Sequence, residues 1–158
     1  FFLYFYTINN HSMEALTEFF FQWGYWGMLL AAFLAGSVVP IGSEVIYVLL
    51  LKAGLDPLLT TLAATAGNTL GGMTCYWIGM LGKRLGTSEE KLDKATRFLQ
   101  GRGAWMGFFA FLPYLGEAIA VALGFMRSNQ PVTALSMALG KLVRYSALFL
   151  AFKGVISL

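Results

Sequence analysis

Long runs without charged residues dominate the pattern along this chain of 158 residues, and short polar stretches separate them. Residues 19–43 and residues 57–82 contain no Asp, Glu, Lys or Arg. About 20 consecutive apolar residues are enough for a helix to span the hydrocarbon core of a bilayer. Each run is therefore long enough to cross a membrane or to enter it deeply, and the pattern predicts an all-α integral membrane protein.

Proline and glycine interrupt the apolar pattern at two places, and an acidic residue follows each interruption. The two segments are Pro40-x-Gly42-x-Glu44 and Pro113-x-x-Gly116-Glu117. Proline removes a backbone donor, and irregular backbone inside a bilayer is tolerated only where it faces protein or water. The pattern therefore predicts re-entrant hairpin tips, or breaks in discontinuous helices, at Pro40, Gly42, Pro113 and Gly116.

The two interruptions lie 73 residues apart, and Gly67 matches Gly140 at the same offset. Each half is predicted to form a helical hairpin followed by a transmembrane helix. The hairpins span 20–54 and 104–126, and the transmembrane helices span 57–82 and 131–154. Because the basic stretch after the first transmembrane helix fixes its end in the cytoplasm, the two halves face opposite ways. This layout of inverted repeats is common among transporters.

The stretch 83–102 is strongly polar, with six cations and three acids. The positive-inside rule places it in the cytoplasm. Its basic residues are interleaved with acids, so we do not expect it to bind nucleic acid. We expect a single membrane domain over 13–158, with Met13 as a candidate native start. Residues 1–12 are expected to be an N-terminal extension or residues added to the native chain.

The composition narrows the function classes. The chain is 58% hydrophobic and 12% charged, whereas soluble domains carry about 25% charged residues. A water-soluble enzyme and a basic nucleic-acid-binding protein are therefore excluded. One histidine and one cysteine cannot supply a zinc site. No serine lies in a nucleophile-elbow sequence, so membrane-embedded hydrolysis is the weakest option. We expect no enzymatic activity, cofactor or metal.

Ionisable residues within apolar segments are the candidate functional residues. They are two acids, Glu44 and Glu117, and two bases, Lys141 and Arg144. A charge at the centre of a membrane helix costs about 2.5–3.5 kcal/mol on insertion scales. Because the four charges sum to zero, we expect them to meet around a shared polar cavity.

Further candidates accompany these charges. Tyr145 adjoins Arg144, and Asn68 takes the place of Lys141 in the first half of the repeat. Two readings stay open, namely internal ion pairs that stabilise a bundle and a site for a charged ligand. The small-residue spacing of Gly67 and Gly71 suits either close internal packing or a homodimer.

These segments resemble the DedA superfamily, also called the SNARE-associated Golgi or VTT-domain group, and within it the YqaA-like bacterial proteins. The matching segments are PIGSEV (40–45), GNTLGG (67–72), PYLGE (113–117), ALGFMR (122–127) and GKLVRY (140–145). The resemblance implies two opposed re-entrant hairpins in the bacterial inner membrane. It also implies transport of phosphate-headed lipids, such as undecaprenyl phosphate or anionic phospholipids, with proton coupling.

The chain departs from the wider superfamily at two points. An Arg-Phe-x-Pro-x-x-Arg pattern is usual there, and the two arginine positions are Ala110 and Gly116 in this chain. The acid that follows the glycine in the superfamily is Asn68 here. Lys141 and Arg144 would then supply the positive charges that the arginine pair supplies in the superfamily. The alternatives are a non-transporting membrane structural or assembly factor and a transporter of protons or small ions.

Overall fold

A computed structural model describes residues 23–37, 42–84, 97, 99, 102–112 and 115–156 of the chain. Five α-helices and one 3₁₀ helix make up this part. The helices are α1 (Tyr25–Gly36), α2 (Ser43–Lys52), α3 (Pro57–Arg84), the 3₁₀ helix (Gly103–Phe111), α4 (Leu115–Phe125) and α5 (Gln130–Ile156). The described residues contain no strand, which confirms the all-α prediction for them.

The two long helices cover the segments 57–82 and 131–154, which the sequence predicts as helices, and extend one or two residues beyond them. Helix α3 has 28 residues and α5 has 27, which corresponds to about 40 Å each at 1.5 Å per residue. Within the described ranges, the segment Gln130–Val155 of α5 is the one that is both long and apolar enough to cross a membrane. Helix α3 has the length, but its Thr, Asn and Gly residues lower its hydropathy.

Short helices pack closely on the two long ones through glycine. A side chain at Gly67 or Gly71 of α3 would collide with the backbone carbonyls of Leu29 and Phe33 in α1. The Gly67–Gly71 face is therefore used for packing inside the chain. On the second long helix, Gly140 meets the carbonyl of Phe108 in the 3₁₀ helix in the same way.

Helix α4 packs against the C-terminal half of α3, again through glycine. A side chain at Gly79 would strike the carbonyl of Val121, and one at Gly124 would strike the carbonyl of Tyr76. The two long helices also contact each other. Two apolar clusters result, one around Tyr47 and Leu50 and the other around Tyr76 and Leu123.

The two segments predicted to form hairpins contain helices, and the hairpins themselves stay predictions. The segment 20–54 contains α1 and α2, and the segment 104–126 contains the 3₁₀ helix and α4. The N-terminal part of the segment 104–126 is thus a 3₁₀ helix, a type of helix that the sequence does not predict. Its close approach to α5, at Gly107 and Gly140, is a tertiary constraint that the local sequence does not reveal.

Several predictions fall on residues that the structure does not describe. They concern Pro40, Pro113, residues 1–12 and most of the stretch 83–102. The re-entrant tips, the inverted orientation of the repeats and the cytoplasmic side of the basic stretch stay predictions.

Candidate functional site

Glu44 and Arg144 form an ion pair between α2 and α5. Glu44 lies in the first turn of α2, where the helix dipole favours a carboxylate. Arg144 lies in the middle of α5 and also donates from Nη1 to the backbone carbonyl of Phe111, over 3.1 Å. The side chains of Arg144 and Glu44 are 23% and 31% exposed. The pair therefore ties α2 to α5 at a partly buried position.

Lys141 lies one helical turn before Arg144 and is almost completely buried, with 3% exposure. Its ammonium group donates to the backbone carbonyl of Asn68 in α3. Gly72 makes room for the lysine, because a Cβ at that position would lie 3.0 Å from Nζ. Glu117 of α4 and Cys75 of α3 lie within electrostatic range of the ammonium. Lys141 of α5 therefore contacts α3 and interacts electrostatically with Glu117 in the first turn of α4.

Tyr145 joins the polar groups of three helices. Its hydroxyl lies 2.9 Å from Ser43 Oγ in α2 and accepts a hydrogen bond from Asn68 Nδ2 in α3 over 3.2 Å. Its ring packs on Tyr47, with 5.3 Å between the ring centroids. The Tyr47 hydroxyl in turn lies 2.7 Å from Thr61 Oγ1. Tyr145 itself is fully buried, so it links α2, α3 and α5 through groups that solvent does not reach. We call the contacting group of Ser43, Glu44, Asn68, Lys141, Arg144 and Tyr145 the polar centre.

Replacing Tyr145 with Phe should lower the free energy of unfolding by about 1–3 kcal/mol, because the buried Ser43 hydroxyl and Asn68 amide lose a partner. Unfolding followed in detergent would measure the loss. Tyr25→Phe is the matched control, since the Tyr25 hydroxyl accepts from the backbone of Asp56 at an exposed position where water can replace it. Equal losses for the two variants would contradict the role given to Tyr145.

The structure brings most of the predicted site residues together. Glu44 with Arg144, Lys141 with Asn68, and Asn68 with Tyr145 are in direct contact. Glu117 reaches this group through its electrostatic interaction with Lys141.

Two of the four predicted tip residues, Gly42 and Gly116, lie in the part of the chain that the structure describes. Gly42 precedes α2 and is exposed, whereas Gly116 is buried in the first turn of α4, against the carbonyl of Ala110. Pro40 and Pro113 lie outside the described residues.

Sequence reasoning missed three participants in the polar centre. Two are backbone carbonyls, those of Asn68 and Phe111, which have no side-chain signal in a sequence. The third is Ser43, a buried residue that directly precedes Glu44 and lies in the same matched segment. Its position beside a candidate acid could have marked it.

The arrangement is suited to an anion more than to a metal. Lys141 offers three donors, and Asn68 O is the hydrogen-bond acceptor that the described residues supply. Arg144 offers a planar fork that binds carboxylate or phosphate through two bonds. Within the described ranges no three His, Cys, Asp or Glu side chains lie close enough together to hold a metal ion.

A cavity of about 470 Å³ lies beside the polar centre, between α3 and α5. Its walls are almost entirely apolar. The lining residues are Leu62, Thr65, Ala66, Thr69 and Leu70 of α3 and Ala138, Leu139 and Leu142 of α5. None of the four charged candidates lines this cavity, so the shared cavity predicted around them stays a prediction.

Comparison with known proteins finds bacterial membrane proteins among the relatives. The chain is 36% identical over 129 residues to an uncharacterized protein of Haemophilus influenzae, covering 77% of this chain and 82% of that protein. It is 32% identical over 121 residues to the inner membrane protein YqaA of Escherichia coli, covering 76% of this chain and 84% of YqaA.

A more distant relative has a different kind of name. An alkaline phosphatase-like protein of Lactococcus lactis is 27% identical over 149 residues, covering 82% of this chain and 70% of that protein. No family model and no solved structure matches the chain. The identity to YqaA over most of both chains decides the assignment: this chain belongs to the YqaA-like group of DedA membrane proteins.

Proposed function

We propose that this protein moves a phosphate-headed lipid, such as undecaprenyl phosphate or an anionic phospholipid, between the leaflets of the bacterial inner membrane. The observation that carries the proposal is the buried ammonium of Lys141, which has one hydrogen-bond acceptor, Asn68 O, among the described residues. A cation buried at mid-helix is costly unless it has a function or a full set of partners. A phosphate oxygen would supply the missing acceptors.

Arg144 would complete the phosphate site. It lies one turn from Lys141 on the same helix, and its guanidinium can bind two phosphate oxygens at once. In the structure that guanidinium forms an ion pair with the Glu44 carboxylate. Protonation of Glu44 would release Arg144 for the phosphate, and Glu117 would act on Lys141 in the same way. Proton coupling follows from this competition between carboxylate and phosphate.

The internal repeat supports a site between two inverted halves. Lys141 donates to Asn68, and these two residues are 73 positions apart, which is the offset of the sequence repeat. Equivalent positions of two repeats contact each other where the repeats meet. Transporters built from inverted repeats bind their substrates at that junction. If the stretch 83–102 lies in the cytoplasm, the two halves of the repeat would enter the membrane from opposite leaflets and meet at the site.

A structural or assembly role is the second candidate, and the ion pair favours it. Glu44 and Arg144 already satisfy each other, so they can act as a clamp between α2 and α5. A proton or small-ion transporter would use the same acids without admitting a lipid. Under any of the three functions we expect no enzymatic step and no cofactor.

Liposomes that contain the purified full chain provide the test. Transbilayer movement of undecaprenyl phosphate and of ordinary phospholipids would be measured with and without a pH gradient. Lys141→Ala and Arg144→Ala should each abolish movement, whereas Lys153→Ala, which removes an exposed cation from the same helix, should not. Intact movement in both site variants would refute the phosphate assignment. No movement by folded parent protein would favour the structural role.

A further inference from the structure

Helix α2 is attached to the rest of the chain differently from the other short helices. Close backbone contacts at glycine join α1, the 3₁₀ helix and α4 to the long helices, and within the described ranges none of these contacts involves α2. Helix α2 is held by its side chains instead. Because a side-chain contact can be exchanged for a contact with a ligand, α2 is the short helix whose position a ligand can control.

Two adjacent polar contacts hold the start of α2 to α5. Ser43 Oγ lies 2.9 Å from the Tyr145 hydroxyl, and Glu44 forms the ion pair with Arg144. Serine and glutamate near a helix start often bind the backbone donors of their own helix, but α2 has no side-chain cap among the described residues. Both side chains serve the contact between helices. Val45 is 57% exposed, so little apolar packing adds to the two polar contacts at this end.

The other end of α2 is held by apolar packing. Tyr47, Leu50 and Leu51 are buried in the cluster around Tyr47 and Leu50. The Tyr47 hydroxyl lies 2.7 Å from Thr61 Oγ1 of α3, and the amide of Leu55 donates to the carbonyl of Leu50 in the turn that leads into α3. An anion cannot replace apolar packing. This end of α2 therefore stays in place when the polar contacts at the start of the helix are exchanged.

Arg144 is placed to exchange Glu44 for another anion. Its Nη1 donates to the carbonyl of Phe111 in the 3₁₀ helix, and its Nη2 is the atom that pairs with Glu44. The carbonyl keeps the guanidinium oriented when the carboxylate leaves. A phosphate monoester carries about −1.5 to −2 charges at pH 7 and binds a guanidinium through two bonds. It is therefore a strong competitor for the position that Glu44 holds.

We propose that a phosphate group bound to Arg144 displaces Glu44, and that the start of α2 then moves away from α5 while the buried end of α2 stays in place. A ligand shifts such an equilibrium when it binds one state better than the other, and here Arg144 is free for phosphate only in the displaced state. The identity of the anion rests on the proposed function, whereas the displacement of α2 is measured without transport.

The distance between a spin label on α2 and one on α5 measures the displacement. Val45→Cys and Leu135→Cys, both at exposed positions, would carry the labels in the full chain with Cys75→Ala, in phosphatidylcholine nanodiscs. Phosphatidic acid should lengthen the distance by several ångströms, beyond the about 1–2 Å of small shifts between packed helices. Leu30→Cys on α1, also exposed, replaces Val45→Cys in the matched control, and its distance to α5 should not change.

Variants of the two polar contacts separate the trigger from a general effect of the lipid. Glu44→Gln removes the carboxylate, so α2 should be displaced already in phosphatidylcholine alone, whereas Glu117→Gln removes an acid from α4 and should leave the parent distance. Ser43→Ala keeps the ion pair and weakens the contact with α5 by one hydrogen bond. It should need about threefold to tenfold less phosphatidic acid for the same displacement.

Inorganic phosphate in place of phosphatidic acid distinguishes a free anion from a lipid headgroup. Displacement of α2 by both probes supports the inference with the phosphate group alone as the trigger. Displacement by phosphatidic acid alone supports it with a lipid as the ligand.

Three results would overturn the inference. They are an unchanged α2–α5 distance in the parent with both probes, an equal change of the α1–α5 distance, and a parent-like α2–α5 distance in folded Glu44→Gln protein. Failure of the proposed function is distinguishable from these results. Displacement of α2 without lipid movement in liposomes would remove the transport function and leave the release of α2, and lipid movement without displacement would do the reverse.

Discussion

A protein that carries Glu44→Gln together with Arg144→Met should be nearly as stable as the parent and should not transport lipid. Each single variant should instead be less stable by roughly 3 kcal/mol, the cost of an unpaired charge within a membrane helix. The reason is that Glu44 and Arg144 are each other's ionic partners in the structure. The double variant removes both charges and leaves two neutral side chains of similar length.

Unfolding temperatures in detergent and lipid movement in liposomes would be measured on the same four proteins. A loss of roughly 3 kcal/mol corresponds to a decrease of about 6–12 °C for a domain of this size. Lys153→Met is the control for removal of a cation from α5. Because the double variant separates stability from activity, it decides between the two main candidate functions. Parent-like transport by the double variant would show that the pair is only a clamp.

Gly124→Val should prevent α4 from packing on α3 and should leave little folded protein. A Cβ at Gly124 would collide with the backbone carbonyl of Tyr76, and a backbone atom cannot move aside as the end of a long side chain can. Overpacking in a core costs about 1–3 kcal/mol when the neighbours can yield, and more is expected where they cannot. Gly67→Val should act in the same way at the contact between α1 and α3.

Gly154→Val is the matched control for both glycine variants. It lies in the last turns of α5, and a Cβ there meets nothing within 4 Å. The folded fraction would be measured by size-exclusion chromatography in detergent, followed by thermal unfolding. Gly154→Val should elute and unfold as the parent does. A well-folded Gly124→Val protein would show that the α3–α4 contact tolerates separation.

The sequence predicts the long helices well because their limits are set by local chemistry. Pro57 begins α3, and the charges at Lys83 and Arg84 end the apolar run close to the end of that helix. The partner of each charge could not be predicted. Glu44 pairs with a residue 100 positions away, and that choice depends on how α2 meets α5.

Other parts of the site could not be predicted from the sequence, and the reasons differ. The acceptor for Lys141 is a backbone carbonyl, which every residue possesses. The 3₁₀ helix follows from its approach to α5 and not from its own composition. The spacing of Thr65 and Thr69 on one face of α3 is visible in the sequence. An ordinary packed helix face has the same spacing, so the pattern could not identify the cavity.

The glycine contacts between the short and the long helices have a mechanical consequence. At Gly67, Gly79, Gly124 and Gly140 the facing surface is backbone rather than interlocked side chains. Sliding one helix along another usually requires side chains to change rotamer, and glycine has none to change. Shear of small amplitude along these contacts therefore meets a lower barrier than in a bundle packed by leucine. The short helices can therefore shift along the long helices without any change of side-chain rotamer at these glycine positions.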